Sequence, residues 1–139
     1  MDTLKDIIIV AGPVIIEDNK VLLDREIKFN DAESPFFMFP GGKLISLDET
    51  PEQACIREAK EELGIDIEIL RPLKTVVTKR PDVAEAWAVL IHFLARRTGE
   101  PTLQKNKTVE FGWFDIHDLP KNCTQNVAEV IEAHLNEKI

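Results

Sequence analysis

Several residue types that mark common kinds of protein are scarce or absent in this chain. Its 139 residues include two cysteines, Cys55 and Cys123, and no tyrosine. Two cysteines provide no disulfide framework, and no second histidine or cysteine stands at ligand spacing from His92, so a zinc site is not expected. No apolar run approaches the roughly 20 residues of a membrane-spanning helix. We therefore expect a protein without a membrane span, a disulfide framework or zinc.

Basic residues are also scarce, since 17 lysines and arginines stand against 25 aspartates and glutamates, for a net charge of −8. That balance argues against a polymeric nucleic-acid partner, because proteins that bind such polymers usually present a basic face. It is compatible with a free nucleotide, because a metal ion can bridge acidic side chains and phosphates. Lys5 and Asp6 interrupt the N-terminal stretch, so no signal peptide is expected and the cytoplasm is the expected location.

The length predicts a single domain over residues 1–139 with a core of its own. Apolar and β-branched runs predict strands over residues 7–16, 21–27, 36–39, 67–79 (as one strand or two), 86–95 and 108–115. We expect the second strand to pair back on the first, and the most hydrophobic one, 86–95, to be central. An amphipathic pattern predicts a closing helix over 126–135. This order predicts an α/β or α+β fold with a mixed sheet between helices.

Between the third and fourth of these segments, the sequence predicts a helix with clear ends. Thr50 is a suitable N-cap, Pro51 fits the first helical position, and Gln53 completes a capping box with Thr50. Gly64 supplies a left-handed C-terminal stop. On a helical wheel the expected buried side consists of Cys55, Ile56, Ala59 and Leu63.

Three carboxylates, those of Glu58, Glu61 and Glu62, share a neighbouring arc of this helix that we expect to be exposed. They should repel one another by about 0.2–0.5 kcal/mol per pair, and Arg57, four residues before Glu61, offsets only part of that. An acidic pair alone is usually just a solvated helix face. A divalent cation would instead turn the repulsion into a binding site, because Mg²⁺ prefers carboxylates, waters and substrate phosphates as ligands.

Residues 40–65 as a whole resemble the Nudix box, whose pattern is G-x5-E-x7-R-E-U-x-E-E-x-G-U with U aliphatic. From Glu49 onward the chain fits, with seven residues between Glu49 and the matching segment 57–65. The first half departs, because six residues separate Gly42 from Glu49 and Lys43 stands where the pattern has glycine. We interpret this as one extra residue in the loop that follows the glycine pair.

The resemblance implies the Nudix α/β/α sandwich and hydrolysis of a nucleoside-diphosphate-linked compound with Mg²⁺, or Mn²⁺, as cofactor. It implies that Glu58 and Glu62 hold metal and that Glu61 holds metal or positions water, although the sequence does not divide these roles. Glu49 and Arg57 are implied to brace each other. Two further ligand candidates are the Gly42 carbonyl and Glu110, which is otherwise a solvated carboxylate at a strand end.

Candidate substrate-binding residues lie outside the helix. By resemblance, Arg25 contacts phosphate, and its alternative is a surface charge on a strand. Phe39, Gly41 and Lys43 form the approach to the box, where glycine allows the backbone to come close to a ligand. Asn126 either reads a purine edge, for which an amide is a natural bidentate partner, or caps the closing helix.

The small size, the approach to the box and Asn126 favour the MutT-like branch, which cleaves a purine or oxidised-purine nucleoside triphosphate to monophosphate and pyrophosphate. The alternative is an ADP-ribose or nucleotide-sugar pyrophosphatase, because Pro81, 16 residues beyond Ile65, occupies a position where ADP-ribose pyrophosphatases tend to carry proline. The lack of tyrosine disfavours a diadenosine polyphosphate hydrolase. A non-catalytic nucleotide-binding module is the second alternative. The expected partner is a small nucleotide, with no membrane, and the protein is a monomer or a homodimer.

Overall fold

A computed structural model describes residues 5–27, 32–80, 85–104 and 108–137. Two β-sheets and two helices make up this part of the chain. In chain order the elements are β1 (Lys5–Val14), β2 (Ile16–Glu17), β3 (Lys20–Glu26), β4 (Gly42–Lys43), α1 (Pro51–Leu63), β5 (Asp66–Pro72), β6 (Val76–Lys79), β7 (Ala86–Thr98), β8 (Thr108–Asp115) and α2 (Gln125–Leu135). Among the described helices, none is long and apolar enough to cross a membrane.

The larger sheet is built around β7, as the hydrophobicity of residues 86–95 predicted. Strand β1 runs parallel to β7, in a register that pairs Ile8 with Ala88 and Val14 with Leu94. On its other edge β7 pairs antiparallel with both β5 and β6, and β4 pairs with the free edge of β1. Residues 67–79 therefore form two strands, and the sheet is mixed.

The smaller sheet has the order β2-β3-β8. The predicted return of the second strand onto the first is limited to the two residues of β2, and β3 pairs mainly with β8. The predicted strand at 36–39 is wrong, because Phe37 and Met38 form only isolated bridges, to Cys123 and Asp24. This apolar run therefore forms single bridges with other segments and does not form a strand.

Helix α1 has the predicted ends. The Thr50 hydroxyl accepts from the Gln53 backbone N–H, the Gln53 side chain accepts from the Thr50 N–H, and Gly64 is left-handed with φ of 67°. Two expectations about its faces are wrong. Ile56 is 42% exposed, and two of the three carboxylates on the acidic arc, those of Glu58 and Glu62, are buried, so the arc is exposed only at Glu61. The buried face of α1 consists of two rows of residues spaced four apart: 54, 58 and 62, and 55, 59 and 63. Glu58 and Glu62 belong to the first row and are therefore buried.

The two helices cover opposite faces of β3, as its alternating side chains show. Leu22 packs with Ala59 and Leu63 of α1, whereas Val21 and Leu23 point the other way. On that second side the buried residues of α2 complete the core: Val127, Val130 and Ile131. This confirms the predicted α/β/α arrangement with a mixed sheet.

Helix α2 begins one residue earlier than predicted. Its N-cap is Thr124, with extended backbone angles, so the interpretation of Asn126 as the cap is wrong. Asn126 instead lies in the first turn of the helix, where its side chain is available for contacts outside the helix.

Candidate active site

The glycine pair brings the chain against both β1 and α1. The Gly41 N–H donates to Glu62 Oε2 at 2.9 Å. A Cβ atom at Gly41 would lie 2.6 Å from the Ala11 carbonyl oxygen, and one at Gly42 would lie 2.4 Å from the Glu58 carboxylate. Only glycine therefore fits this approach without displacing β1 or the glutamate, which explains the glycine pair directly before the acidic helix.

Arg57 is the charged centre of the helix face. Its Nε and Nη2 atoms bind the two Glu49 oxygens at 2.8 and 3.1 Å, the bidentate geometry that holds a carboxylate in a fixed plane. Its Nη1 donates to Glu58 at 2.8 Å and to Glu61 at 3.1 Å, and Nη2 also donates to the Lys43 carbonyl. The predicted contact between Arg57 and Glu49 is therefore present, and the same guanidinium orients two candidate metal ligands.

The loop between the glycine pair and the helix closes on Glu49. Glu49 Oε1 accepts from the Ile45 N–H at 3.0 Å, and the Glu49 N–H donates to the Ser46 carbonyl at 3.3 Å. The hydrogen bonds from Arg57 and Ile45 lower the pKa of Glu49. The six-residue spacing is thus compatible with the bracing geometry, because the loop folds back and still delivers this carboxylate to Arg57.

The three box carboxylates occupy different environments. The Glu61 side chain is 40% exposed, Glu58 is buried between Arg57 and Gly42, and Glu62 is 1% exposed. Burial raises the pKa of Glu62 well above its usual value, and the charges of Glu26 and Asp24 add to that effect. Buried carboxylates with raised pKa values are typical of functional sites, because burial without a cation is costly.

Glu62 also belongs to a group that the motif did not reveal. Its carboxylate lies with those of Asp24 and Glu26 from β3, with one oxygen of each within 4.8 Å of the others. Asp24 is fully buried, and its pKa is raised well above the usual value by burial and by the charge of Glu26. One feature of the sequence could have revealed this group: Asp24 directly follows the apolar run of β3 and lies two residues before Glu26, on the same face of the strand.

A cavity of about 440 Å³ adjoins this group. Most of its wall is apolar, as is usual for ligand sites. Phe39, Gly41, Gly42 and Lys43 line it, so these four predicted positions share one cavity. Its polar lining residues include His92, Thr124 and Asn126.

His92 sets the orientation of Asn126. His92 Nδ1 lies 2.8 Å from the Lys74 carbonyl, which can only accept, so Nδ1 carries the proton. Burial lowers the pKa of His92, and the imidazole is therefore neutral with Nε2 as acceptor. Asn126 Nδ2 lies 3.1 Å from that Nε2. The amide therefore donates one N–H to His92, and its carbonyl oxygen and second N–H can bind a ligand.

Arg25 and Glu110 lie against each other on paired strands. Arg25 Nε contacts Glu110 Oε1 at 2.5 Å, and Nη1 donates to the Ser34 carbonyl at 2.9 Å. The Glu110 side chain is 49% exposed. Neither residue is among the described residues that line the cavity, so the structure places them apart from the predicted positions at that cavity: Phe39, Gly41, Gly42, Lys43 and Asn126. Pro81, the residue that favoured an ADP-ribose substrate, lies outside the described residues.

Comparisons with known proteins agree with this geometry. The NUDIX domain family matches residues 8–134. An 8-oxo-dGTP diphosphatase from Proteus vulgaris is 42% identical over 79 residues, 56% of this chain and 68% of the relative. An ADP-ribose pyrophosphatase from Methanocaldococcus jannaschii is 31% identical over 108 residues, 78% of this chain and 62% of the relative. The crystal structure of a MutT NUDIX hydrolase from Burkholderia pseudomallei superposes with a TM-score of 0.79 at 29% identity, covering 93% of this chain and 98% of that one.

Proposed function

The chain belongs to the Nudix family of hydrolases, and we propose that it cleaves a purine or oxidised-purine nucleoside triphosphate to the monophosphate and pyrophosphate. The observation that carries this proposal is the Asn126 amide, which His92 holds in a fixed orientation at a mostly apolar cavity. Glu26 and the glycine pair line the same cavity, so we propose that the phosphates bind beside the base, towards the acidic helix.

The donor set fits a hard divalent cation. Glu58 and Glu62 are buried carboxylates, Glu61 is beside them, and oxygen ligands of this kind suit Mg²⁺ or Mn²⁺. A divalent ion bound there would neutralise phosphate oxygens and lower the pKa of a bound water. We propose that Glu58 and Glu62 hold the ion and that the more exposed Glu61 either joins them or accepts the proton of the attacking water.

The other residues of the helix face orient these groups. Arg57 fixes the planes of Glu58 and Glu61 through Nη1 while Glu49 fixes Arg57. The Gly41 N–H holds one Glu62 oxygen in place. Preorganised carboxylates of this kind need no rearrangement when the substrate arrives, which is how outer residues contribute to metal-dependent hydrolysis.

The free edge of Asn126 presents one acceptor and one donor. Adenine offers the complementary pair, N6–H and N7. Guanine offers two acceptors on that edge, N7 and O6, whereas 8-oxoguanine carries a proton on N7 beside O6 and so complements the amide. The amide therefore favours adenine or oxidised guanine over unmodified guanine. A cavity of about 440 Å³ lies within the usual range for ligand sites of roughly 300–1,000 Å³.

The test is kcat/KM for dATP, dGTP, 8-oxo-dGTP, dCTP and ADP-ribose with wild type, Asn126→Ala and the control Asn122→Ala. Asn122 is a matched control because its amide binds the Pro35 carbonyl and does not line the cavity. We expect 8-oxo-dGTP or dATP to be preferred, and Asn126→Ala to lose about 1–3 kcal/mol of purine discrimination. An unchanged preference in Asn126→Ala would overturn the proposal.

ADP-ribose pyrophosphatase activity is the second candidate, favoured by the relative from M. jannaschii, which matches more of this chain than the P. vulgaris relative does. The adenine of ADP-ribose would fit the Asn126 edge equally well. The same panel separates the two activities, because ADP-ribose releases AMP and ribose 5-phosphate without pyrophosphate. Faster cleavage of ADP-ribose than of any triphosphate would favour the second candidate.

A further inference from the structure

We propose that Asp24 and Glu26 of β3, together with Glu62 of α1, form a divalent-cation site that extends the metal-binding face of the helix onto the smaller sheet. One oxygen from each of the three carboxylates lies within 4.8 Å of the others. Glu62 is shared with the proposed catalytic site, so the inference deepens the proposed function and rests on it for its role in hydrolysis.

The strongest observation is the Asp24 side chain. It is fully buried, and neither of its carboxylate oxygens accepts a hydrogen bond from an N–H or hydroxyl group in the described part of the chain. The backbone of Asp24 is satisfied separately, by a reciprocal pair of 2.9 Å hydrogen bonds with Met38. A hydrogen bond between Asp24 and Glu62 would require a proton on one of them, since a carboxylate can only accept.

The two arginines nearest in sequence to Asp24 and Glu62 bind other groups. Arg25, next to Asp24 in sequence, points to Glu110 and the Ser34 carbonyl. Arg57 donates hydrogen bonds to Glu49, Glu58 and Glu61. Glu62 receives a hydrogen bond from the Gly41 N–H, and neither Asp24 nor Glu62 forms an ion pair within residues 5–27, 32–80, 85–104 and 108–137. Like charges are therefore buried together without an opposing charge on Asp24 or Glu62.

The chemistry of the group specifies its ligand. Three carboxylates held on a strand and a helix offer only oxygen donors, which suits Mg²⁺, Mn²⁺ or Ca²⁺ and disfavours softer ions. The Glu62 carboxylate has more lone pairs than the Gly41 N–H uses, so it can bind this ion and that N–H together. Glu26 also lines the cavity. A cation here would therefore adjoin the place where substrate phosphates are proposed to bind.

The probe is Mn²⁺ alone, titrated without nucleotide and followed by electron paramagnetic resonance and calorimetry on the full chain. We compare wild type with Asp24→Asn, Glu26→Gln and the control Asp66→Asn, whose side chain is 72% exposed and lies near Lys60. We expect Asp24→Asn and Glu26→Gln each to weaken one Mn²⁺ equivalent at least about tenfold or abolish it, and Asp66→Asn to bind as wild type does.

Thermal melts of the same proteins give a second readout. Asp24→Asn should melt at or above the wild-type temperature without metal, because it removes a buried charge, and should gain less stability from Mn²⁺. Wild-type Mn²⁺ affinity and stoichiometry in Asp24→Asn would overturn the proposal and indicate that Asp24 and Glu62 share a proton. If Asp24→Asn does not fold, Glu26→Gln decides by the same criterion. Asp24-dependent Mn²⁺ binding without triphosphate hydrolysis would refute the proposed function and leave this site standing.

Discussion

Arg57 offers the sharpest test of how the helix face is organised. Its guanidinium forms five hydrogen bonds of 2.8–3.1 Å, to Glu49, Glu58, Glu61 and the Lys43 carbonyl. Replacing it by alanine removes the donors that orient two proposed metal ligands without removing any ligand. Losses of such orienting partners typically weaken metal affinity by about 10–100-fold, or about 1.4–2.7 kcal/mol. We expect Arg57→Ala to cost less activity than Glu58→Gln, which removes a ligand oxygen's charge.

The assay is kcat and KM as functions of Mg²⁺ concentration. Arg57→Ala should shift the Mg²⁺ dependence to higher concentration and recover part of its activity there, and Arg57→Lys should fall between wild type and alanine, because lysine retains the charge without the bidentate fork. Arg96→Ala is a suitable control, since that arginine forms an exposed pair with Glu68. Equal kcat losses in Arg57→Ala and Glu58→Gln, with unchanged Mg²⁺ affinity, would refute the assigned role.

The remaining predictions concern the buried carboxylates. Glu62→Gln should lower turnover by orders of magnitude yet melt no earlier than wild type in metal-free buffer; a much earlier melt would show that the carboxylate serves the fold. The pKa values of Asp24 and Glu62 are raised above 3.8 and 4.5 by burial, so both groups stabilise the fold below those values and lose that contribution as the pH rises through the raised ones. Metal-free protein should therefore lose melting temperature from acidic towards alkaline pH, less so in Asp24→Asn, and saturating Mg²⁺ should reverse the loss. Gly42→Ala should displace the Glu58 carboxylate, because the new Cβ would lie 2.4 Å from it, and should weaken Mg²⁺ binding measured by calorimetry. Unchanged binding would count against Glu58 as a ligand.

Local signals in the sequence predicted helix α1 with both of its caps and the central position of β7. Those features depend on neighbouring residues, through the capping box, the left-handed glycine and one long hydrophobic run. The pairing of Glu49 with Arg57 came from the resemblance, and the structure contains that contact. The roles of the predicted site residues stay predictions until the variants are measured.

What the sequence did not predict depends on tertiary packing. The burial of Glu58 and Glu62 follows from the close approach of the glycine pair and β3, which a helical wheel cannot represent. Asp24 lies beside Glu62 although the two are 38 positions apart in sequence. Thr124 is the N-cap of α2, and its N–H donates to the Phe37 carbonyl. No local sequence pattern indicates that contact.

Burial also changes how strongly the carboxylates of α1 repel one another. On an exposed face the three glutamates would repel by only about 0.2–0.5 kcal/mol per pair, and solvent would screen them. Burial of Glu62 beside Asp24 removes that screening, and neither carboxylate forms an ion pair in the described part of the chain, so a divalent cation is the expected counter-charge. We therefore expect a divalent cation to stabilise the metal-free protein when it binds.

The most direct test of the central account is the Mg²⁺-dependent release of pyrophosphate from 8-oxo-dGTP and dATP by wild type and Glu58→Gln, with ADP-ribose beside them. The account predicts one pyrophosphate for each nucleotide consumed, dependence on Mg²⁺, and near-complete loss in Glu58→Gln. Turnover that is unaffected by chelation or by Glu58→Gln, or nucleotide binding without any turnover, would contradict it.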